Sequence, residues 1–337
     1  MNEVELLFAE DAPAPSYEVV DLGELVPGGP VSATATAINK RGNVVGWYYD
    51  TARSENRAVL WDLDFVGHEV AVELDTPCAG ICLRRHAYAL DVNDHDEVVG
   101  YRQTQGGQGP RAAHWRLRSA RPLPGQQADS TSYAINNEGD VAGYEFQWLS
   151  TSPGSSYAYR LHWEAARNGA LLDPAITSSN GNDVNDLGDV VGRFFDPSAQ
   201  ANRPFFYRAH NPNGQAGETL SLEQGYASGY ATAVNNARLI AGVQTTAGGV
   251  NHATVWRHNG FIWLPARLDA SASGVALGVN DLGHLVGHRD GTTAVLWRDG
   301  SAYDLNQHIP AADQAEWQLR EARDINDRGE IVGIRTP

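Results

Sequence analysis

A nine-residue pattern that returns seven times constrains this chain more than any other feature. It reads Ile/Val-Asn, three residues, a short apolar segment, then Gly, and its first copy is Ile38-Asn39-Lys40-Arg41-Gly42-Asn43-Val44-Val45-Gly46. The later copies begin at Val92-Asn93, Ile135-Asn136, Val184-Asn185, Val234-Asn235, Val279-Asn280 and Ile325-Asn326. Their asparagines step by 54, 43, 49, 50, 45 and 46 residues. A fixed period of this length marks a repeat architecture.

Within each copy, Asn followed three residues later by Gly between two β-rich runs predicts a tight hairpin. The Asn side chain bonds nearby backbone and Gly takes the positive φ. Asp96 and Arg238 replace that Gly in the second and fifth copies. A third strand follows and ends in an aromatic: Trp61, Trp115, Trp163, Tyr207, Trp256 and Trp297 recur at one position, which assigns them to the core between repeats. A weaker fourth strand comes after it, as in Val70–Leu74 or Ala302–Leu305. Four antiparallel strands per ~40–50 residues is a propeller blade.

These observations predict an all-β chain with one domain over 1–337: a seven-bladed β-propeller of four-stranded antiparallel blades. The last copy stops after its second strand, while Val4–Phe8 and Tyr17–Leu22 read as unassigned strands. The residues before Asn39 and after Asn326 together make up one more repeat length. The expectation is therefore a last blade shared by N-terminal strands (about 3–22) and C-terminal strands (about 322–335), which would remove exposed edges.

The pattern resembles the bacterial HAF-repeat family, named for a His-Ala-Phe tripeptide at the start of the third strand. Here His252-Ala253-Thr254 is nearest to it, with Arg57-Ala58-Val59 and Thr293-Ala294-Val295 as variants. The resemblance implies a propeller, and a secreted or periplasmic setting because the family is described as probable extracellular repeats. It implies no particular reaction.

Composition narrows the partners. The formal net charge is −16, which argues against nucleic acid or an anionic membrane as the main partner. No apolar run reaches the ~18 residues of a membrane helix, and the N-terminus as written shows no signal peptide, so a soluble, cytoplasmic monomer is the expectation from the residues. Cys78 and Cys82 in Cys-Ala-Gly-Ile-Cys allow a small disulfide or two thiols. Asp183–Gly188 and Asp324–Gly329 imitate the opening of a calcium loop, but Leu187 and Arg328 stand where an oxygen ligand belongs, so no metal and no cofactor is expected.

Loop lengths select a functional face. The Asn-to-Gly hairpins are short, whereas the loops leaving the second and fourth strands are long and variable, and such loops carry binding residues on a rigid scaffold. The residues on that side are Trp47, Tyr49, Arg85, His86, Tyr88, Tyr101, Arg102, Tyr144, Arg193, Phe194, His288, Arg289 and Trp317. Aromatics and guanidinium groups together suit a small molecule, glycan or peptide. The alternative for the aromatics is padding between blades. An enzyme, whether lyase, cyclase or hydrolase, would draw its acid–base groups from His86, Glu145, His288 and Arg289. A protein–protein platform is the third possibility.

Overall fold

The computed structural model describes residues 14–26, 32–63, 70–74, 85–104, 109–117, 119–123, 129–147, 155–162, 176, 178–211 and 217–336. The first sheet holds β1 (Ala33–Ile38), β2 (Val44–Asp50), β3 (Glu55–Asp62) and β4 (Val70–Glu73) in sequence order. The second holds β5 (Arg85–Val92), β6 (Val98–Thr104), β7 (Arg111–Arg116) and β8 (Ser119–Pro122). The third shows β9 (Ser130–Ile135), β10 (Asp140–Gln147) and β11 (Ser155–His162) among the described residues. The fourth contains β12 (Ser179–Val184), β13 (Val190–Asp196), β14 (Ala201–Tyr207) and β15 (Glu218–Thr219). The fifth and sixth run from β16 (Tyr226–Val234), β17 (Ile240–Thr246), β18 (Asn251–His258) and β19 (Trp263–Arg267) to β20 (Gly274–Val279), β21 (Leu285–Arg289), β22 (Thr293–Arg298) and β23 (Ser301–Asp304). A short helix, α1 (Ala311–Glu316), precedes β24 (Gln318–Ile325) and β25 (Ile331–Thr336), which form a two-stranded sheet. Among the described residues no helix is long and apolar enough to cross a membrane.

The architecture is a β-propeller, but it corrects the expected blade count. Among the described residues six blades are followed by a small seventh sheet of two strands, not by a seventh four-stranded blade. Val4–Phe8 lies outside the described residues. Tyr17–Leu22 does not pair with β25, although its alternation reads as a strand. Groups at its two ends are committed elsewhere: the Tyr17 N–H donates to the His308 carbonyl, the Leu22 carbonyl accepts from Trp61 Nε1, and Asp21 accepts the Gly23 N–H and ion-pairs with Arg335. Leu22, Leu25 and Val26 then pack on Val332 and the first blade, covering by side-chain contact what a strand would cover by pairing.

Every repeat forms its predicted hairpin. Gly42, Asp96, Gly139, Gly188, Arg238, Gly283 and Gly329 all have positive φ, the two substitutes included. Each repeat Asn is 3–5% exposed, and its Oδ1 accepts the N–H four residues on at 2.7–3.1 Å. Its Nδ2 leaves the hairpin and donates to the carbonyl of the next repeat Asn. These bonds run Asn39, Asn93, Asn136, Asn185, Asn235, Asn280, Asn326 and back to Asn39, all at 2.8–3.1 Å.

One residue further along, a second ring of bonds follows the same path. The backbone N–H of Lys40, Asp94, Asn137, Asp186, Asn236 and Asp281 each donates to the side chain of the next member, ending at Asp327. Asn137 and Asn236 donate their amides to the carboxylates on both sides. Lys40 Nζ lies 3.4 Å from Asp281 and 3.5 Å from Asp327. Burial works against that ammonium, but Asp327, Asp281 and Asp94 outweigh it and hold the lysine above its ordinary pKa.

The inner strand of every sheet carries a β-bulge at the same place, three residues before the Asn. The extra residues are Thr36, Leu90, Tyr133, Asn182, Thr232, Leu277 and Arg323. All seven are half-buried, and each follows a buried residue. The bulge also explains the glycine that ends each repeat. A Cβ at Gly46, Gly100, Gly143, Gly192, Gly242, Gly287 or Gly333 would fall within 3 Å of the bulged strand's carbonyl, a separation real Cβ atoms do not tolerate.

The core lies in the seams between sheets, where Trp61, Trp115, Tyr207, Trp256 and Trp297 are buried as expected. Trp163 and the two cysteines lie outside the described residues.

Asn185→Ala removes bonds to the Asp189 N–H and the Asn235 carbonyl, both buried, and one to the N–H of exposed Leu187. The expected loss is about 2 kcal/mol, because buried partners are left unsatisfied. Gln224→Ala, at an exposed loop position, should leave the denaturant midpoint unchanged. Coincident unfolding curves for the two variants would contradict the structural role of the asparagine.

Candidate functional site

Strand alternation divides the two positions that follow each repeat glycine. The first position is occupied by Trp47, Tyr101, Tyr144, Arg193, Val243, His288 and Ile334, and the second by Tyr48, Arg102, Glu145, Phe194, Gln244, Arg289 and Arg335. Neighbouring residues in a strand face opposite sides of the sheet, so these sets point into different seams.

The first-position residues of four adjacent blades belong to one aromatic arc. Tyr88 pairs across the strands with Tyr101, and their rings stack at 4.6 Å. The Trp47 indole meets Tyr88 edge-on at 5.4 Å from the preceding blade. Tyr133 and Tyr144 approach to 5.8 Å in the third blade, and Tyr101 feels both phenols electrostatically. Arg193 extends the arc into the fourth blade and places its guanidinium 6.0 Å from the Tyr230 ring of the fifth. Every one of these residues is half-buried: packed between blades, yet open on one side. Burial first, and then the neighbouring phenols, push Tyr101 and Tyr133 up to about 12, so these hydroxyls stay neutral donors and acceptors.

Of the residues expected on the loop face, the fold brings Trp47, Tyr88, Tyr101, Tyr144 and Arg193 onto this arc. Tyr133 and Tyr230 join it from within strands. Tyr133 is a bulge residue, and Tyr230 sits within β16 rather than in a loop.

The remaining candidates occupy other places. His86 shares a face of β5 with Tyr88, and both meet Asn56: the Asn56 N–H donates to His86 Nδ1 at 3.1 Å and its amide to the Tyr88 hydroxyl at 2.6 Å. The Arg85 backbone heads β5 opposite Thr104. Tyr49 is exposed at the end of β2. Arg102 lies across from Arg111, and burial followed by that neighbour depresses its guanidinium. Glu145 is 1% exposed on the face of β10 away from Tyr144, between Ser130 and Tyr157 of the adjoining strands. Phe194 packs on the seam formed by Val184, Val190 and Phe205. His288 stands between Val275 and Ala294, while Arg289 on the other face lies 3.6 Å from Asp269. Trp317 is distant in kind: Arg335 stacks over its ring at 4.2 Å beside an apolar groove of about 400 Å³, where Tyr17–Gly23 meets the two-stranded sheet.

Three carboxyls escaped selection as well. Asp91, Asp183 and Asp324 stand two residues before their Asn and bridge adjacent sheets. Each accepts the following N–H and one from the next sheet: Ile135, Val234 and Ile38 respectively, at 2.7–2.9 Å. Burial raises all three, and Asp91 is raised further by Asp183 and Asp324. Asp183 is pushed up to about 7 and Asp324 to about 6. The two calcium-like openings thus use their first aspartates to tie backbone across sheets.

A carboxyl whose pKa is raised on folding stabilises the fold below its unfolded pKa, and that contribution is lost as pH rises through the folded value. Asp183 and Asp324 should therefore make the protein less stable as pH climbs through 6 and 7. His114, held down to about 4 by burial, acts in the opposite sense below about pH 6.5. The clean window is about pH 6.5–8, where Tm should fall with pH and Asp183→Asn should flatten the slope. A wild-type Tm that rises across that window would contradict the assignment.

No family model matches the chain, so the HAF-repeat resemblance gains no support beyond the propeller architecture, and no curated protein matches it in sequence. Solved structures match in fold. A puromycin-hydrolysing peptidase of Mycobacterium tuberculosis aligns with a TM-score of 0.57 at 11% identity, over 96% of this chain and 53% of that one. One of two prolyl endopeptidases studied for inter-domain dynamics gives 0.52 at 10% identity, over 86% and 42%. YCF48 bound to a D1 peptide gives 0.50 at 13% identity, over 90% and 91%. The chain spans about half or less of the two peptidases and nearly all of YCF48, and at these identities the likeness establishes the propeller fold alone.

Proposed function

We propose that this protein is a binding propeller whose ligand is an extended peptide held on the arc from Trp47 to Tyr230. The carrying observation is that seven half-buried residues from five consecutive blades, six aromatic and one arginine, lie along one arc: Trp47, Tyr88 and Tyr101 are in ring contact, as are Tyr133 with Tyr144 and Arg193 with Tyr230, and Tyr101 and Tyr133 each feel the next group electrostatically. Padding alone would bury such rings fully, as it does Trp61, Trp115 and Trp256. Tyrosine and tryptophan give large contact area at low entropic cost, and neutral phenols offer both donors and acceptors to a peptide backbone. Arg193 adds a cation for a carbonyl or carboxylate. The likeness to YCF48, a propeller-sized chain solved with a peptide, agrees with a peptide rather than a glycan or a small molecule. The acid–base reading gains less, because the His86 Nδ1 lone pair is taken by a backbone N–H.

An immobilised array of random extended peptides should yield specific binders. Tyr133→Ala should weaken the best of them about tenfold, the loss expected of an aromatic anchor. Arg289→Ala distinguishes the arc from the wider loop face: retained binding places the ligand on the arc, and lost binding moves it across the strand. An array that stays blank, or binders indifferent to Tyr101→Ala and Tyr133→Ala, would refute the peptide reading.

A further inference from the structure

The position after the third-strand aromatic carries an ionic side chain in each blade where it is described. It is Asp62, Arg116, Arg208, Arg257 and Arg298 in the first, second, fourth, fifth and sixth. Three of the four arginines have a carboxylate at hand. Arg116 Nε lies 3.3 Å from Glu97, Arg208 Nε is 2.7 Å from Glu218, and Arg298 Nε is 3.5 Å from Asp299 with its guanidinium over Tyr303. Arg257 has no hydrogen bond and no ion pair among the described residues.

The repeat explains why. Glu97, which serves Arg116, stands four residues after its Asn, and the fifth repeat has Leu239 at that place. In the fourth and sixth blades the partner comes from elsewhere, Glu218 and Asp299, so the match to Leu239 rests on the second blade. Burial depresses the Arg257 guanidinium, with no neighbouring charge to restore it. A half-buried cation without a partner is costly, and natural structures seldom leave one so.

Arg257 lines a cavity of about 540 Å³ on the hairpin side of the fifth and sixth blades, together with Leu239, Trp263 and Leu282. Arg208 and Arg238 also border it, but both are engaged, the latter with Asp189 at 2.6 Å. Asp281, the acidic group on the wall, is occupied by Asn236 and Lys40. Next to it the β18–β19 turn leaves Phe261 91% exposed and Ile262 56% exposed. A monocarboxylate would satisfy the guanidinium, and an apolar body would cover the leucines and the turn.

We infer that this cavity binds a carboxylate carried on an apolar body, with Arg257 as its anchor and Leu239 on its wall. The site lies on the hairpin side and is independent of the peptide arc. Two sources share this chemistry: a small aryl or alkyl acid, and the C-terminus of a peptide ending in an apolar residue.

The probe is 3-phenylpropionate, titrated into the full chain by NMR and compared with 3-phenylpropanamide. Saturable binding of the acid, with the amide at least about tenfold weaker, is expected from one charge-assisted contact. Arg257→Gln should lose about the same factor, whereas Arg193→Gln and Tyr133→Ala should change nothing. Leu239→Glu rebuilds the pair seen between Glu97 and Arg116 and should also abolish binding. Should that variant not fold, Arg257→Gln decides alone. The peptide Ala-Ala-Phe with a free carboxyl identifies the source: binding tighter than the acid indicates a chain terminus, and equal or weaker binding a small acid. Absence of saturable binding, equal affinity for acid and amide, or an unaffected Arg257→Gln would overturn the proposal.

Discussion

The amide of the repeat asparagine is the interaction on which the rest of this structure depends. Its oxygen closes the hairpin from within, and its nitrogen fixes the distance to the next hairpin. Local turn geometry and the spacing between sheets are therefore set by one planar group. Aspartate, which serves many hairpins equally well, cannot replace it, because a carboxylate oxygen would face the neighbouring carbonyl inside the fold. That requirement explains why the residue holds at seven places while the turn residues around it vary.

The hairpins were legible because Asn and Gly have narrow conformational uses, and even Asp96 and Arg238 adopt the expected backbone. The bulges were not. Their side chains share no chemistry, and a one-residue insertion into an alternating strand leaves no mark in composition; the glycine on the facing strand was its only trace. The same hidden residue displaced the site reading, since Tyr133 reaches the arc only because the bulge turns it there. The two residues after the glycine look equivalent in sequence, but the pleat sends Tyr101 and Arg102 to opposite faces.

The seventh sheet shows where length arithmetic stops. The terminal segments have the right size for a missing repeat, and Tyr17–Leu22 has the right alternation. Pairing nevertheless requires free backbone donors and acceptors in register. Here Tyr17 gives its N–H to His308 in the segment after the sixth blade, and the Leu22 carbonyl takes the Trp61 indole N–H of the first. The segment contributes apolar side chains to the last seam without extending the ladder.

The ring one residue beyond the asparagines has a property that follows from counting. Donors and acceptors can alternate around a circuit only when its members are even in number, and this circuit has seven. From Asp94 the order is acceptor, donor, acceptor, donor, acceptor through Asn137, Asp186, Asn236 and Asp281, after which Asp327 brings two carboxylates side by side. Lys40 resolves that mismatch by reaching both. In a chain whose other strongly basic residues are all arginine, its one lysine stands where parity fails. A circuit shortened or lengthened by one repeat could alternate without it, so Lys40 records that the number of hairpins is odd.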